Sequence, residues 1–336
     1  MPSIRRHLPP LGAAMLLVSG CFGDYVPARD ASQTTEASTT TTTTTGGGSL
    51  DSSAVSSSSS SGGPALCEHL DLLILTDVSL SMAPFATGII NVLVALGTLV
   101  ESTFAEFGTY RVGMVFNAPP VLNENAFSVP DGGEGCTQLG ALVRGQGACI
   151  QDFDERPYLT EQDALGPGLT CLSEGLLMGN VNVAYEQPRI LDALLAVLGA
   201  DNDPAREICN EGFYESSDPL VVIVIADAED ESDASVLEAV TRAIGTQPGT
   251  SLRNIGVFVI GEDTAMCPED VESDCVAEPA CKLQEFLDSG FSGPLEGNVR
   301  RFSICRSQED DPAAVAQSLL DQLTPVIAQV CSQAPS

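Results

Sequence analysis

The sequence predicts an α/β fold, a doubly wound and mainly parallel sheet with helices on both faces and disulfide-rich insertions. Residues 70–76, 220–226 and 255–260 are almost uniformly apolar, as strands are when both faces of a sheet are covered. Segments with helical spacing of apolar residues alternate with these strands along the chain. Such alternation is typical of parallel sheets, in which helices make the crossover connections.

The predicted elements begin near residue 65. A strand at 70–76 precedes a helix at 84–107, whose Ile, Leu and Val residues form a wide apolar face. A strand at 110–116 is followed by an insertion at 117–185, rich in Gly, Pro, Asn and Asp. The later elements are a helix at 188–199, a strand at 220–226, a helix at 234–244, a strand at 255–260, a Cys- and Pro-rich insertion at 261–298, a strand at 299–305 and a closing helix at 312–330.

The charge balance excludes several classes of function. The 336 residues include 46 Asp and Glu but only 14 Lys and Arg, a formal net charge of −32. Because nucleic-acid binding needs a basic face, we expect no nucleic acid as a partner. His7 and His69 are the only histidines, which argues against a His-based triad or a multi-histidine metal site. Common hydrolase, zinc-protease and nucleotide-binding motifs are absent, so we expect no enzyme.

Residues 1–20 have the pattern of a signal peptide. A basic pair, Arg5 and Arg6, precedes an apolar run at 11–18, which is shorter than the roughly 20 residues that span a bilayer. The sequence VSGC at 18–21 resembles a bacterial lipoprotein signal, which implies cleavage before Cys21 and a lipid on its sulfur. An ordinary signal peptide with an incidental cysteine is the alternative. We therefore expect a lipid-anchored protein of the bacterial cell envelope, at the outer membrane or cell surface.

A low-complexity segment follows Cys21 and extends to residue 64. It consists largely of Thr, Gly and Ser and contains few large apolar residues. Such a segment cannot bury enough apolar surface to offset its ordering entropy, so it predicts a disordered stalk. The predicted domains are thus a signal peptide at 1–20, a lipidated stalk at 21–64 and a folded domain at 65–336.

The remaining cysteines predict disulfides. Setting Cys21 aside leaves an even number, and disulfides are the rule in exported proteins. No two of them have C-x-x-C spacing, and the spacing does not fix the pairing. Cys67 and Cys331 bracket the folded part, so we expect a bridge that ties its two ends. The ten cysteines are Cys67, Cys136, Cys149, Cys171, Cys209, Cys267, Cys275, Cys281, Cys305 and Cys331.

Acidic and hydroxyl side chains follow two of the apolar strands. Asp77, Ser79 and Ser81 lie in TDVSLSM, directly after the first strand, and Asp227 follows the strand at 220–226. The loops at the carboxyl ends of parallel strands line the ligand crevice, so we expect these side chains to meet. Their oxygens suit Mg²⁺, or alternatively Mn²⁺ or Ca²⁺.

These residues resemble the metal-ion-dependent adhesion site of the von Willebrand factor A family. The resemblance covers most of residues 65–331 and rests on LLILTDVSLSM, the following helix and VVIVIADAEDES. It implies that Ser79 and Ser81 bind the metal directly, with Asp77 and Asp227 in its first or second shell. It also implies that a carboxylate of a bound protein takes the free position. The threonine ligand of the family is uncertain here: Asn180 and Thr170 are the candidates.

The resemblance implies a lipid-anchored, adhesion-type module that binds a protein ligand through a divalent metal. One alternative is a structural envelope lipoprotein with a degenerate site, in which Ser81 only caps the next helix. A metal-dependent hydrolase is a further alternative, for which the sequence offers no identifiable base.

Three other polar features have simpler interpretations. The acidic run at 229–233 predicts a solvated helix start rather than a second metal site. Residues 201–203, Asp-Asn-Asp, lack the rest of a calcium-loop pattern. His69 precedes the first strand, so we expect it at the edge of the sheet opposite Asp77, in a structural role.

Overall fold

The structure is a computed structural model, and all of its described residues lie in one compact unit, Ser60–Ser336. The described residues are 67–104, 108–117, 139–143, 156–177, 188–199, 209–214, 218–244, 255–261, 280–291, 293–308 and 311–333. Cys21, the signal-peptide segment and the stalk segment lie outside these residues, so cleavage, lipidation and disorder there stay predictions.

A six-stranded sheet has the order β3-β2-β1-β4-β5-β6. Its strands are β1 (His69–Thr76), β2 (Thr109–Phe116), β3 (Leu159–Thr160), β4 (Leu220–Ile225), β5 (Ile255–Gly261) and β6 (Val299–Ser303). All neighbouring strands pair in parallel except β3, which is antiparallel to β2. The predicted doubly wound, mainly parallel α/β sheet is confirmed.

Helices cover both faces of the sheet. The first face carries α1 (Ala83–Phe104), α2 (Leu165–Leu177) and α6 (Pro312–Ser332), and the second carries α3 (Ile190–Leu198), α4 (Val236–Ile244) and α5 (Cys281–Gly290). Along β4, Val221 and Ile223 belong to the core of the first face and Val222 to that of the second. Because both sets of side chains are buried, the strand is apolar at every position.

Helix α1 is a core helix. By length and composition alone, its segment Ala83–Glu101 is long and apolar enough to cross a membrane. In this fold Phe85, Ile89, Leu93 and Leu96 are buried in the same core as α2 and α6. Burial in this core accounts for the apolar character of the helix.

The two predicted insertions contain elements that the sequence analysis missed. Strand β3 and helix α2 lie within 117–185, and α5 lies within 261–298. In α2, the glycines and proline of LGPGLTCLSEGLL obscure a helical spacing of Leu165, Leu169 and Leu172, all of which are buried. The last strand is also shorter than predicted, because residues Ile304–Gln308 form a 3-10 helix.

The expected bridge between the two ends of the folded part is present. Cys67 and Cys331 form a disulfide that ties the segment before β1 to the end of α6. Cys171, Cys209, Cys281 and Cys305 are also disulfide-bonded. Disulfides were also predicted for four cysteines that lie outside the described residues: Cys136, Cys149, Cys267 and Cys275.

Candidate metal-binding site

The candidate site lies at the carboxyl ends of β1 and β4. These strands are adjacent and parallel, and their last residues, Thr76 and Ile225, are register partners. The backbone N–H of Asp77 donates to the carbonyl of Ile225 at 2.8 Å, which extends the pairing one residue further. Asp77 and Asp227 therefore leave the sheet side by side, at the same edge, as the sequence predicts.

A continuous set of short polar contacts joins the predicted site residues. The hydroxyl oxygens of Ser79 and Ser81 lie 2.7 Å apart, and Ser81 donates to Oδ1 of Asp227 at 3.0 Å. The backbone N–H of Ser79 donates to Oδ1 of Asp77 at 2.7 Å. The structure thus brings Asp77, Ser79, Ser81 and Asp227 into one cluster, although Asp227 is 146 residues from Ser81.

Asn117, which the sequence analysis missed, orients Asp77. It follows β2, is almost fully buried, and donates from Nδ2 to Oδ1 of Asp77 at 2.7 Å. Its Oδ1 accepts the backbone N–H of Val78 at 3.1 Å. Its position in the sequence could have identified it, because Asn117 directly follows β2 just as Asp77 directly follows the neighbouring strand β1. Three adjacent strand ends therefore contribute to the cluster.

Asp77 is an incompletely satisfied buried carboxylate. Its side chain is fully buried, and among the described residues its Oδ2 has no hydrogen-bond partner. Burial raises the pKa of Asp77 more than the hydrogen bonds from Ser79 and Asn117 lower it, and the nearby carboxylate of Asp230 raises it further. A buried acceptor without a donor costs roughly 1–3 kcal/mol, so a cation at this point would relieve an existing penalty.

The donor set fits a small divalent cation. Two carboxylates and two hydroxyls are hard oxygen ligands, which Mg²⁺, Mn²⁺ and Ca²⁺ prefer. Neighbouring ligands of an octahedral Mg²⁺ lie about 2.9 Å apart, given bonds of about 2.0–2.1 Å. The separations between Ser79 and Ser81, 2.7 Å, and between Ser81 and Asp227, 3.0 Å, bracket this value. Ser81 is exposed, which leaves one side open to an external ligand.

The two candidates for the threonine ligand do not join this cluster in the described part of the chain. Thr170 lies within α2, where its hydroxyl donates to the carbonyl of Gly166 at 3.0 Å. That hydroxyl thus forms a hydrogen bond within its own helix and not with the cluster. Asn180 lies outside the described residues, as do Asp201 and Asp203 of the partial calcium-loop pattern.

The acidic run at 229–233 was predicted to be a solvated helix start. The structure corrects this, because two of its carboxylates cap the starts of other helices. The carboxylate of Glu229 accepts the backbone N–H groups of Cys281 and Lys282, at the start of α5. Asp230 accepts the N–H of Ile190 at 2.6 Å, at the start of α3. The prediction holds for the exposed Glu231 and Asp233 and fails for Glu229 and Asp230.

Further contacts fix this loop from the side of α3 and α5. Asp192 in α3 accepts the backbone N–H groups of Asp233 and Ala234, each at 2.9 Å. Lys282 in α5 donates to the carbonyl of Ser232, and its Nζ lies 3.6 Å from Oδ2 of Asp230. The segment that follows Asp227 is therefore held by two helices on the second face of the sheet.

Comparisons with known proteins give structural neighbours of low sequence identity. No protein-family model matches the chain, and neither does any curated protein. A von Willebrand factor type A structure from Catenulispora acidiphila is 16% identical with a TM-score of 0.37, covering 78% of this chain and 43% of its own. Proximal thread matrix protein 1 from the mussel byssus is 13% identical with a TM-score of 0.36, covering 77% and 49%.

The TRAP protein of Plasmodium vivax, in a manganese-loaded structure, is 13% identical with a TM-score of 0.34, covering 76% of this chain and 75% of its own. The chain spans less than half the length of the bacterial and mussel structures that it matches. At these identities and TM-scores, the fold assignment rests on the sheet topology described above and the candidate site on its own geometry.

Proposed function

We propose that this protein is a divalent-metal-dependent, adhesion-type module that binds a protein ligand through a carboxylate. The convergence of Asp77, Ser79, Ser81 and Asp227 at one sheet edge, beside a buried Asp77 oxygen that has no donor among the described residues, supports this function. A metal ion there would supply the positive charge that the cluster lacks. The four side chains would hold it, and the exposed side at Ser81 would admit the ligand.

Charge favours a carboxylate as the bridging group. The chain carries a formal net charge of −32, so an acidic side chain approaching it directly meets repulsion. A divalent cation between the site and the ligand's carboxylate converts that repulsion into attraction, because the cation is the largest local charge in the site. Four protein oxygens also leave an octahedral shell incomplete, so water or an external ligand must complete it.

Mg²⁺ is the proposed metal, with Mn²⁺ or Ca²⁺ as alternatives. Ca²⁺ binds oxygen at 2.3–2.6 Å, which would separate neighbouring octahedral ligands by about 3.4 Å. The 2.7 Å between the hydroxyls of Ser79 and Ser81 is closer to the spacing around Mg²⁺. Less movement of the two hydroxyls would therefore be needed to bind the smaller ions.

Lipid anchoring of Cys21, an envelope location and a flexible stalk complete the proposal. The sequence alone supports them, through the basic pair, the short apolar run and the VSGC segment. An inhibitor of lipoprotein signal peptidase should make the precursor accumulate in cells that express the protein. An unchanged ratio of precursor to mature chain would contradict lipidation.

A hydrolytic function has less support from this site. His69 is the only histidine in the described ranges, and it lies at the other end of β1 from Asp77. Those ranges therefore provide no imidazole base beside the cluster. We propose a binding role and no catalytic step.

Calorimetric titration of the full, disulfide-bonded chain with Mg²⁺ tests the metal site, and Mn²⁺ and Ca²⁺ serve as competitors. We expect one saturable site that Asp77→Ala abolishes and that Ser81→Ala weakens at least tenfold. Because Ser81 is exposed, that second variant should fold normally. Asp288→Ala, which removes an exposed carboxylate paired with Arg301, is the matched control and should bind as wild type does. Wild-type affinity in both site variants would overturn the proposal and favour a structural envelope lipoprotein.

A further inference from the structure

A second polar cluster lies at the opposite, amino edge of the sheet. His69 and Asp71 are two residues apart on β1, so their side chains share one face, and Asp218 lies just before β4. Nε2 of His69 is 3.0 Å from Oδ1 of Asp71 and 3.7 Å from Oδ2 of Asp218. One ligand atom from each residue falls within 4.8 Å of the others.

These separations match a tetrahedral transition-metal site. Zinc bonds of about 2.0–2.1 Å place neighbouring tetrahedral ligands about 3.4 Å apart. The two distances from His69, 3.0 and 3.7 Å, lie on either side of that value. One imidazole nitrogen with two carboxylates is also a set that suits Zn²⁺ better than Mg²⁺ or Ca²⁺.

The other imidazole nitrogen has a partner that orients the ring. Thr109 is the register partner of His69 on β2, and its hydroxyl lies 2.6 Å from Nδ1. The same hydroxyl is 3.4 Å from the carbonyl of Glu68, so it can accept from Nδ1–H and donate to that carbonyl. In this tautomer the lone pair of Nε2 faces the carboxylates of Asp71 and Asp218, so a cation bound between them would be coordinated by all three side chains. An oxygen partner on the distal nitrogen is the usual support of a metal-binding histidine.

Asp71 supplies a second, independent observation, a buried carboxylate oxygen without a hydrogen-bond donor among the described residues. It is fully buried, and its Oδ2 has no hydrogen-bond partner among the described residues. Arg111 lies 3.8 Å from Asp71 and 3.8 Å from Asp218, farther than a hydrogen bond, and its NH1 group donates to the carbonyl of Phe213. The Arg111 guanidinium thus places positive charge near the two carboxylates, but its described hydrogen bond is to Phe213 and not to either carboxylate.

We propose that His69, Asp71 and Asp218 form a second metal site, specific for Zn²⁺ or a similar transition-metal ion and independent of the site at the carboxyl edge. The ion would cross-link the start of β1 to the segment before β4. His69 and Asp218 are 19% and 22% exposed, so the ion can enter from solvent. A water molecule would complete a tetrahedral shell.

Calorimetric titration of the full chain with Zn²⁺, in an Asp77→Ala background that removes the first site, tests the proposal. We expect one Zn²⁺ site in that background and at least tenfold weaker binding after His69→Gln or Asp218→Asn is added. Asp288→Asn in the same background is the control and should leave the affinity unchanged. Absence of Zn²⁺ binding to the Asp77→Ala protein, or equal affinity with and without His69, would overturn the second site. Because Mg²⁺ titration of the wild type reports the first site, the two proposals can fail separately.

Two neighbouring variants separate metal binding from general disruption. Thr109→Val removes the acceptor for Nδ1–H and should weaken Zn²⁺ binding about tenfold, as loss of such supporting partners does. Arg111→Gln removes a competing cation and should strengthen Zn²⁺ binding. Visible absorption of the Co²⁺-loaded protein should show tetrahedral bands that His69→Gln removes. Weaker binding in Arg111→Gln, or Co²⁺ bands that persist without His69, would contradict the site.

Discussion

At the scale of single residues, the two oxygens of Asp77 have different surroundings. Oδ1 accepts from Ser79 and Asn117, whereas Oδ2 is buried with no partner among the described residues. The first oxygen fixes the orientation of the carboxylate, and the second is left for a ligand. In the proposed site Asn117 is therefore a positioning residue, which would act on the metal through Asp77.

Replacing Asn117 tests this role. Asn117→Ala should weaken Mg²⁺ binding about tenfold or more, as loss of a partner that orients a metal ligand does. It should also lower the free energy of unfolding by about 1–3 kcal/mol, because Val78 loses its acceptor. Titration calorimetry and urea denaturation measure the two effects.

Asn298→Ala is the matched control for Asn117→Ala. Asn298 is another buried asparagine, which donates to the carbonyl of Ile255 at the amino end of β5, away from the carboxyl edge. Its replacement should lower stability and leave Mg²⁺ affinity unchanged. Equal loss of affinity in both variants would show that Asn117 acts through stability alone.

At the scale of elements, the loop after β4 stabilises two helices that are distant in sequence. Glu229 accepts from the first turn of α5, and Asp230 accepts from the first turn of α3. Carboxylates are favourable at helix N-termini, where backbone N–H groups lack partners and the helix dipole is positive. The loop that presents Asp227 is therefore held in place by the helices that it caps.

Replacing Glu229 tests whether the loop after β4 stabilises α5. We expect Glu229→Ala to lower the free energy of unfolding by about 0.5–2 kcal/mol, the usual cost of losing a helix cap. The exposed neighbour Glu231 provides the control, and Glu231→Ala should change stability by less than about 0.5 kcal/mol. Denaturant unfolding of both proteins measures the difference, and equal stabilities would contradict the capping role.

Asp192 should make the link between α3 and the loop sensitive to acid. Burial raises its pKa, but hydrogen bonds from Ala234, Asp233 and Arg189 outweigh that effect, so the pKa of Asp192 lies below its usual value of 3.8. A lowered pKa contributes stability that is fully present above 3.8 and is lost as the pH falls through the lowered value. We expect Asp192→Asn to cost about 1–3 kcal/mol near neutral pH and progressively less in acid. Unfolding free energies of both proteins between about pH 2 and 7 measure this, and a gap that does not change with pH would refute it.

At the scale of the whole described unit, the two edges of the sheet have different roles. The carboxyl edge collects Asp77, Asn117 and Asp227, whereas the amino edge holds the His69 cluster and the disulfide between Cys67 and Cys331. The disulfide closes a sequence separation of 264 residues. Long closed loops lose much entropy in the unfolded chain, so the bridge is a stability element of the amino edge.

Removing this bridge should separate stability from binding. The double variant Cys67→Ser with Cys331→Ser should lower the free energy of unfolding by about 2–5 kcal/mol. Its Mg²⁺ affinity under native conditions should match the wild type, because the ligand cluster lies at the other edge. Thermal unfolding and titration calorimetry give the two values, and a parallel loss of Mg²⁺ binding would show that the two edges are coupled.

Local patterns in the sequence determined the parallel sheet and four residues of the candidate metal-binding site at its carboxyl edge. Uniformly apolar runs identify strands that are covered on both faces, and in a parallel sheet the residues that follow such strands share one edge. The sequence alone therefore predicts that Asp77, Ser79, Ser81 and Asp227 lie together at that edge. The bridge from Cys67 to Cys331 followed from the position of these residues at the two ends of the folded part.

Only the tertiary structure decided the residues whose roles depend on distant partners. Asn117 gains its role from strand register. Glu229 and Asp230 gain theirs from helices that start 52 and 40 residues away. His69 gains its role from Asp218, which lies beside it because β1 and β4 are neighbours. Helices α2 and α5 were missed because their short apolar faces lie within Gly-, Pro- and Cys-rich sequence. Periodicity reports which face of an element is buried, whereas the partner of a polar side chain is set by how the elements pack, and no local pattern encodes that.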